Sequence, residues 1–107
     1  EPLQQALRPG YRKMVTIIYD TGAEGPVEEA LEKIGAAGWT RIEDVSGSGR
    51  TGKRLGDPIY PGMNNIMFSV IEDEQVEPLR QALEVIPSEF IKQLSFRVFI
   101  QDCDILV

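Results

Sequence analysis

Histidine is absent from this 107-residue chain, and cysteine and tryptophan occur once each. The missing histidine excludes imidazole acid–base chemistry and imidazole metal ligands. The single Cys103 cannot close an internal disulfide. Asp102 and Asp104 flank it and oppose thiolate formation, so it is a poor nucleophile. Both scarcities predict a reducing, cytoplasmic setting. No apolar run approaches the roughly 20 residues that a membrane-spanning helix needs, which predicts no membrane insertion. No secretory signal is visible. Basic residues number 11 against 17 acidic ones, and the net charge of −6 argues against non-specific binding of nucleic acid. A Ser-His-Asp set is impossible, and no paired-carboxylate or cofactor motif is present. No catalytic residue is assigned, and the chain reads as a non-enzyme that requires no cofactor.

What remains has the composition of an ordinary globule, 42% hydrophobic and 26% charged, at a length that fits one domain. Residues 1–13 differ from the rest, and Arg8-Pro9-Gly10 breaks any regular element. They read as an N-terminal extension or a non-native start, with the domain spanning 14–107.

Met14 to Tyr19 is rich in β-formers and reads as a buried strand. Asp20 to Gly25 is turn chemistry, and Pro26 suits the first position of a helix, where a missing N–H needs no partner. Val27, Ala30, Leu31 and Ile34 share one helical face, and Gly35 and Gly38 mark the exit. Trp39 to Val45 follows as a strand. Ser46 to Gly62 carries many glycines, two prolines and no apolar period, and reads as a long structureless loop of the kind that is often functional. Asn65 to Ile71 is the next strand. Asp73 is the expected N-cap of a helix whose face is Val76, Leu79, Leu83 and Ile86. Pro87 starts a short irregular piece, Phe96 to Ile100 is the last clear strand, and Ile105 to Val107 is a candidate short one.

The order is β-α-β, long loop, β-α-β. It predicts an α+β, ferredoxin-like βαββαβ sandwich: an antiparallel sheet with both helices on one face. The other face is expected to carry Met67, Ile71 and Ile18. Two helices cannot cover both faces, so a homo-oligomer that buries the open one is expected.

The segment Ser46 to Arg54 concentrates what chemistry the chain offers. Gly47, Gly49 and Gly52 stand among Arg50, Lys53 and Arg54, three cations within five residues of an acidic protein. Glycine-rich backbone can aim several N–H groups into one anion-holding concavity, and arginine adds bidentate contacts to phosphate or carboxylate. One reading is a nucleotide-phosphate or other anion site; the other is a solvated flexible loop. The spacing Gly47 to Gly52-Lys53 matches a P-loop, but Arg54 stands where Ser or Thr should bind magnesium. Asp102-Cys103-Asp104 reads as a solvated acidic strand end, so no metal ligand is assigned.

Gly38-Trp39-Thr40, then Val45-Ser46-Gly47-Ser48-Gly49-Arg50 before a long loop, resembles the PII nitrogen-regulatory proteins, in which a Gly-x-Gly-Arg segment opens the T-loop. Ile66 to Asp73 followed by Gln75 to Leu79 is similar to the same family's continuation. The resemblance runs over residues 14 to 101. It implies a homotrimer with inward-facing sheets, an adenine nucleotide in the clefts between subunits, and a T-loop that contacts a membrane transporter, channel or enzyme. Carried over by position, it implies that Gly47, Gly49 and Arg50 hold phosphates, with Thr51 at the next position, Ser48, Lys53 and Arg54 in the same ligand-binding segment, and Thr40 near the base-binding end. The chain departs from the family where a Gly-Asp-Gly-Lys segment is usual. Ile86 to Ser95 stands there instead, which removes the triphosphate cradle and leaves Lys92 and Arg97 as candidate replacement charges. The T-loop is shorter, and no tyrosine stands in the usual modification context. A divergent PII-like branch is implied, of the kind tied to bicarbonate uptake or carboxysomes. The implied effector is AMP or ADP rather than ATP, with a small anion such as bicarbonate. A CutA-like or metal-transport-associated trimer and a ligand-free interaction module are the alternatives.

Overall fold

The structure, a computed structural model, describes residues 12–49, 52–56, 62–86 and 96–107. Strand β1 is Arg12–Asp20. A 3-10 turn over Thr21–Ala23 leads into helix α1, Glu24–Lys33. Strand β2 is Thr40–Val45, and two short strands follow, β3 (Gly47–Gly49) and β4 (Gly52–Arg54). Strand β5 is Asn64–Glu72, a second 3-10 turn spans Asp73–Gln75, helix α2 is Val76–Glu84 and strand β6 is Phe96–Cys103. The main sheet has the order β2-β5-β1-β6, and β3 and β4 pair separately. All pairings are antiparallel. This is the expected ferredoxin-like βαββαβ sheet.

The core lies between the helices and one face of the sheet. Val15, Ile17 and Tyr19 of β1 and Met67 of β5 are fully buried, and Val27, Ala30 and Leu31 of α1 and Leu79, Ala82 and Leu83 of α2 cover them. Each large aliphatic side chain so buried stabilises the fold by about 1.5–3 kcal/mol. Helix α1 ends in a Schellman motif: Gly35 has φ +72, its N–H donates to the Glu32 carbonyl at 3.0 Å, and the Ala36 N–H donates to the Leu31 carbonyl at 3.1 Å. Only glycine takes that backbone without a steric penalty.

Several expectations need correction. Met67 and Ile71 belong to the core, not to the open face, because they share their parity with Asn65 and Ser69 on the helix side of β5. The open face instead carries Met14, Thr16 and Ile18, which pair with Val70, Phe68 and Ile66. Thr40 and Ile42 extend it on one side, and Arg97, Phe99 and Gln101 on the other. Phe99 is 51% exposed and Ile42 45%. Strand β1 begins at Arg12, two residues before Met14, because Arg12 and Lys13 continue the ladder opposite Glu72 and Ile71. The rest of the expected extension, 1–11, falls outside the described residues. Pro26 is the third residue of α1 rather than the first, since the Asp20 side chain caps the turn ahead of it by accepting from the Gly22 N–H at 2.7 Å. The cap before α2 is Glu72, not Asp73. Its carboxylate accepts from the N–H of Gln75, whose side chain accepts in return from the Glu72 N–H at 2.8 Å, a capping box. Ile105 to Val107 forms no strand. Among the described residues, no helix is long and apolar enough to cross a membrane.

Candidate functional site

The segment expected to be structureless is a β-hairpin where it is described. Gly47 pairs with Arg54, Ser48 with Lys53 and Gly49 with Gly52. Gly47 and Gly49 flank the small Ser48 on one arm and leave that arm nearly bare, so a ligand can approach its backbone closely, while the other arm carries Lys53 and Arg54. Beyond the hairpin, Gly56 turns with φ +72, and its N–H donates to the Gly62 carbonyl at 3.2 Å. A Cβ there would lie 2.7 Å from Met63 Sδ, so any other residue would meet the positive φ and also have to displace Met63.

The hairpin stands on the end of the sheet where β2 stops and β5 starts. Asn64 is the first residue of β5, opposite Val45 on one side and Asp20 on the other. It is 6% exposed, and its Oδ1 is buried with no hydrogen-bond partner among the described residues. Asn65 points to the helix side, where a polar cluster replaces the aliphatic core. Glu24, at the start of α1, is the hub. Its Oε1 accepts from the Tyr19 hydroxyl at 2.5 Å and from Asn65 Nδ2 at 2.8 Å, and its Oε2 accepts from Arg41 Nη1 at 2.9 Å. Arg41 in turn lies over the Trp39 ring, 5.2 Å from its centroid. Burial by itself would raise the Glu24 carboxyl, but the hydrogen bonds from Tyr19 and Asn65 and the Arg41 charge outweigh it and hold the group below its ordinary value. Burial first, and then the Glu24 carboxylate, push the Tyr19 hydroxyl well above its ordinary value.

Of the residues named from the sequence, Gly47, Ser48, Gly49, Lys53 and Arg54 are brought together by the hairpin. Thr40 lies at the opposite end of β2, exposed and on the open face. Arg97 is on β6, opposite Ile18, in the row that crosses Ile66 to Ile42. It is therefore three strands from β2, roughly 14 Å at the usual strand spacing, and does not reach the hairpin root within one subunit. Arg50, Thr51 and Lys92 lie outside the described residues. Sequence reasoning missed Tyr19, Glu24, Arg41, Asn64 and Asn65. The one signal available was the pair Asn64-Asn65 at the head of a largely apolar strand, where asparagine is a poor strand former.

The profile of the family described as nitrogen regulatory protein P-II matches residues 12–106, and the chain belongs to that family. It is a divergent, PII-like member. Solved structures agree in fold. CPII, a nitrogen regulatory PII-like protein from Thiomonas intermedia bound to ADP, AMP and bicarbonate, is 21% identical, with a TM-score of 0.74 over 92% of each chain. A PII-like signalling protein from Thermus thermophilus is 17% identical, with a TM-score of 0.65 over 94% of each. The B. subtilis GlnK–ATP complex is 15% identical, with a TM-score of 0.62 over 90% of this chain and 84% of that one. No curated protein matches the chain by sequence.

Proposed function

We propose that this chain is a cytoplasmic, trimeric PII-like sensor without enzymatic activity. It binds an adenine nucleotide, AMP or ADP in preference to ATP, with a small anion such as bicarbonate, and regulates a membrane transporter or enzyme through its T-loop. The observation that carries this reading is the bare glycine hairpin Gly47–Arg54 on the sheet end of a P-II family chain. Its cations supply the charge that phosphates require. The half-exposed apolar face of Ile18, Ile42, Ile66, Phe68 and Phe99 supports assembly, since a second and third copy would remove it from water. That CPII holds ADP, AMP and bicarbonate, with the same fold, supports the choice of effector.

Calorimetry and thermal melts with AMP, ADP, ATP, cyclic AMP, bicarbonate and divalent metals test the reading. A ligand at 100 times its Kd stabilises the protein by about 2.7 kcal/mol. No response to any nucleotide refutes the sensor, and a response to metals alone supports the CutA-like alternative. Arg50→Ala is expected to abolish nucleotide binding while the assembly stays intact, and unchanged binding would remove Arg50 from the phosphate site.

A further inference from the structure

The β2–β5 ladder changes register at the root of the hairpin. Thr40, Arg41 and Ile42 stand opposite Phe68, Met67 and Ile66, but Val45 stands opposite Asn64. Glu43 and Asp44 therefore share the single partner Asn65, which is a β-bulge. Strand side chains alternate, so one extra residue inverts the facing of everything beyond it. Val45 takes the rung that Asp44 would otherwise hold. Gly47, two residues on, then lies on the Asn64 side, and a Cβ on Gly47 would sit 3.5 Å from Asn64 Nδ2.

The extra residue is held by one side chain. Asp44 has φ 57, in the left-handed region that disfavours residues with a Cβ. Its N–H donates to Asn65 Oδ1 at 3.0 Å. Asn65 is 4% exposed and cannot swing away, because its Nδ2 is bonded to Glu24, which Tyr19 and Arg41 also grip. The chain of contacts thus runs from the first turn of α1 through Asn65 to the point where β2 leaves the sheet.

We infer that Asn65 is a positioning residue: by fixing Asp44 in its left-handed turn, it sets which face of the β3–β4 hairpin is offered to a ligand. The inference rests on the ligand reading of that hairpin, and it also has a readout that does not need a ligand. That readout is hydrogen exchange at the Asp44 amide. In the wild type this amide is expected to be protected, since it donates to Asn65 Oδ1. In Asn65→Ala its exchange is expected to speed up by about tenfold or more, while amides of the β1–β5 ladder stay protected. The Kd for ADP is expected to rise about tenfold, which corresponds to 1.4 kcal/mol. Adding Asp44→Gly to Asn65→Ala is expected to restore most of the affinity, because glycine takes positive φ unaided. A residue that merely filled the core would not be rescued in this way.

If Asn65→Ala fails to fold, Asp44→Val and Asp44→Gly carry the comparison with Asn65 and the core intact. Valine at positive φ is expected to weaken ADP binding, and glycine to preserve it. Unchanged Asp44 protection in Asn65→Ala overturns the inference. So does lost protection with unchanged ADP affinity, or an Asp44→Val protein that binds like wild type. A wild-type protein that binds no ADP refutes the ligand reading instead, and the exchange result then decides the role of Asn65 at the bulge.

Discussion

Replacing Glu24 with glutamine removes one charge and one acceptor from a cluster that uses both. The carboxylate takes two hydrogen bonds on Oε1, from Tyr19 and Asn65, and one on Oε2, from Arg41. A carboxamide has a single acceptor oxygen. If that oxygen keeps the Tyr19 and Asn65 bonds, its NH₂ faces the Arg41 guanidinium, donor against donor. If it turns the other way, the fully buried Tyr19 hydroxyl loses its acceptor, with no water to replace it. The first arrangement is cheaper. It forfeits one hydrogen bond to a charged group, about 1.5–3 kcal/mol, and solvent recovers part because Glu24 and Arg41 each keep 26% of their side-chain surface exposed. The expected cost is about 2 kcal/mol at pH 7, or ~8 °C in Tm for a chain of this size. The pH dependence gives a second handle. The folded carboxyl is held below its ordinary value of 4.5, so its contribution is complete above about that pH and is lost as pH falls through the folded value. The gap between wild type and Glu24→Gln should therefore be full at pH 7 and close below pH 4.5. Urea unfolding at a fixed protein concentration, at pH 7, 5, 4 and 3, measures it. A variant within about 0.5 kcal/mol of wild type at pH 7, or a gap that stays constant down to pH 3, would refute the reasoning.

Gly35→Ala should cost about 1 kcal/mol, because its Cβ meets nothing and only the positive φ resists it; Gly56→Ala should cost more, since Met63 must also move, and thermal melts showing the reverse order would contradict this. Phe99→Asp places a charge on the open sheet face, and light scattering after gel filtration is expected to show monomer with an unchanged far-UV spectrum; an assembly of wild-type mass would argue against burial of that face. Gly47→Ala should leave stability within about 1 kcal/mol of wild type, as its Cβ makes only an ordinary contact with Asn64, yet it should weaken ADP binding; equal affinity by calorimetry would exclude close approach of the ligand at Gly47.

The strands and helices were legible because burial here follows periodicity. Val27, Ala30 and Leu31 are buried in a 3.6-residue pattern, and β5 alternates along most of its length. What failed was parity. Nothing in Ile66-Met67-Phe68-Ser69-Val70-Ile71 says which half faces the helices, since apolar residues occupy both. Only the pairing of Met67 with the buried Ile17 decides it. The glycines and cations of Gly47–Arg54 drew attention to the hairpin, but the strands themselves were unreadable. Gly-Ser-Gly is a poor strand sequence and pairs only because the other arm stands beside it. The Glu24 cluster was invisible for a different reason. Its members lie at 19, 24, 41 and 65, and a carboxylate in a helical first turn looks like any other until the fold brings an arginine and an asparagine to it.

Strand β5 is anchored at both ends and along both edges. At one end Asn65 is tied to Asp44 and Glu24, and at the other Glu72 forms the box that opens α2. The strand is nine residues long, about 30 Å of backbone, laddered to β1 throughout and to β2 near the loop. Such an element behaves as a stiff beam. The bulge marks the point where β2 leaves the ladder of this beam. The laddered body of the domain is thus a fixed mount for the point at which β2 leaves the sheet.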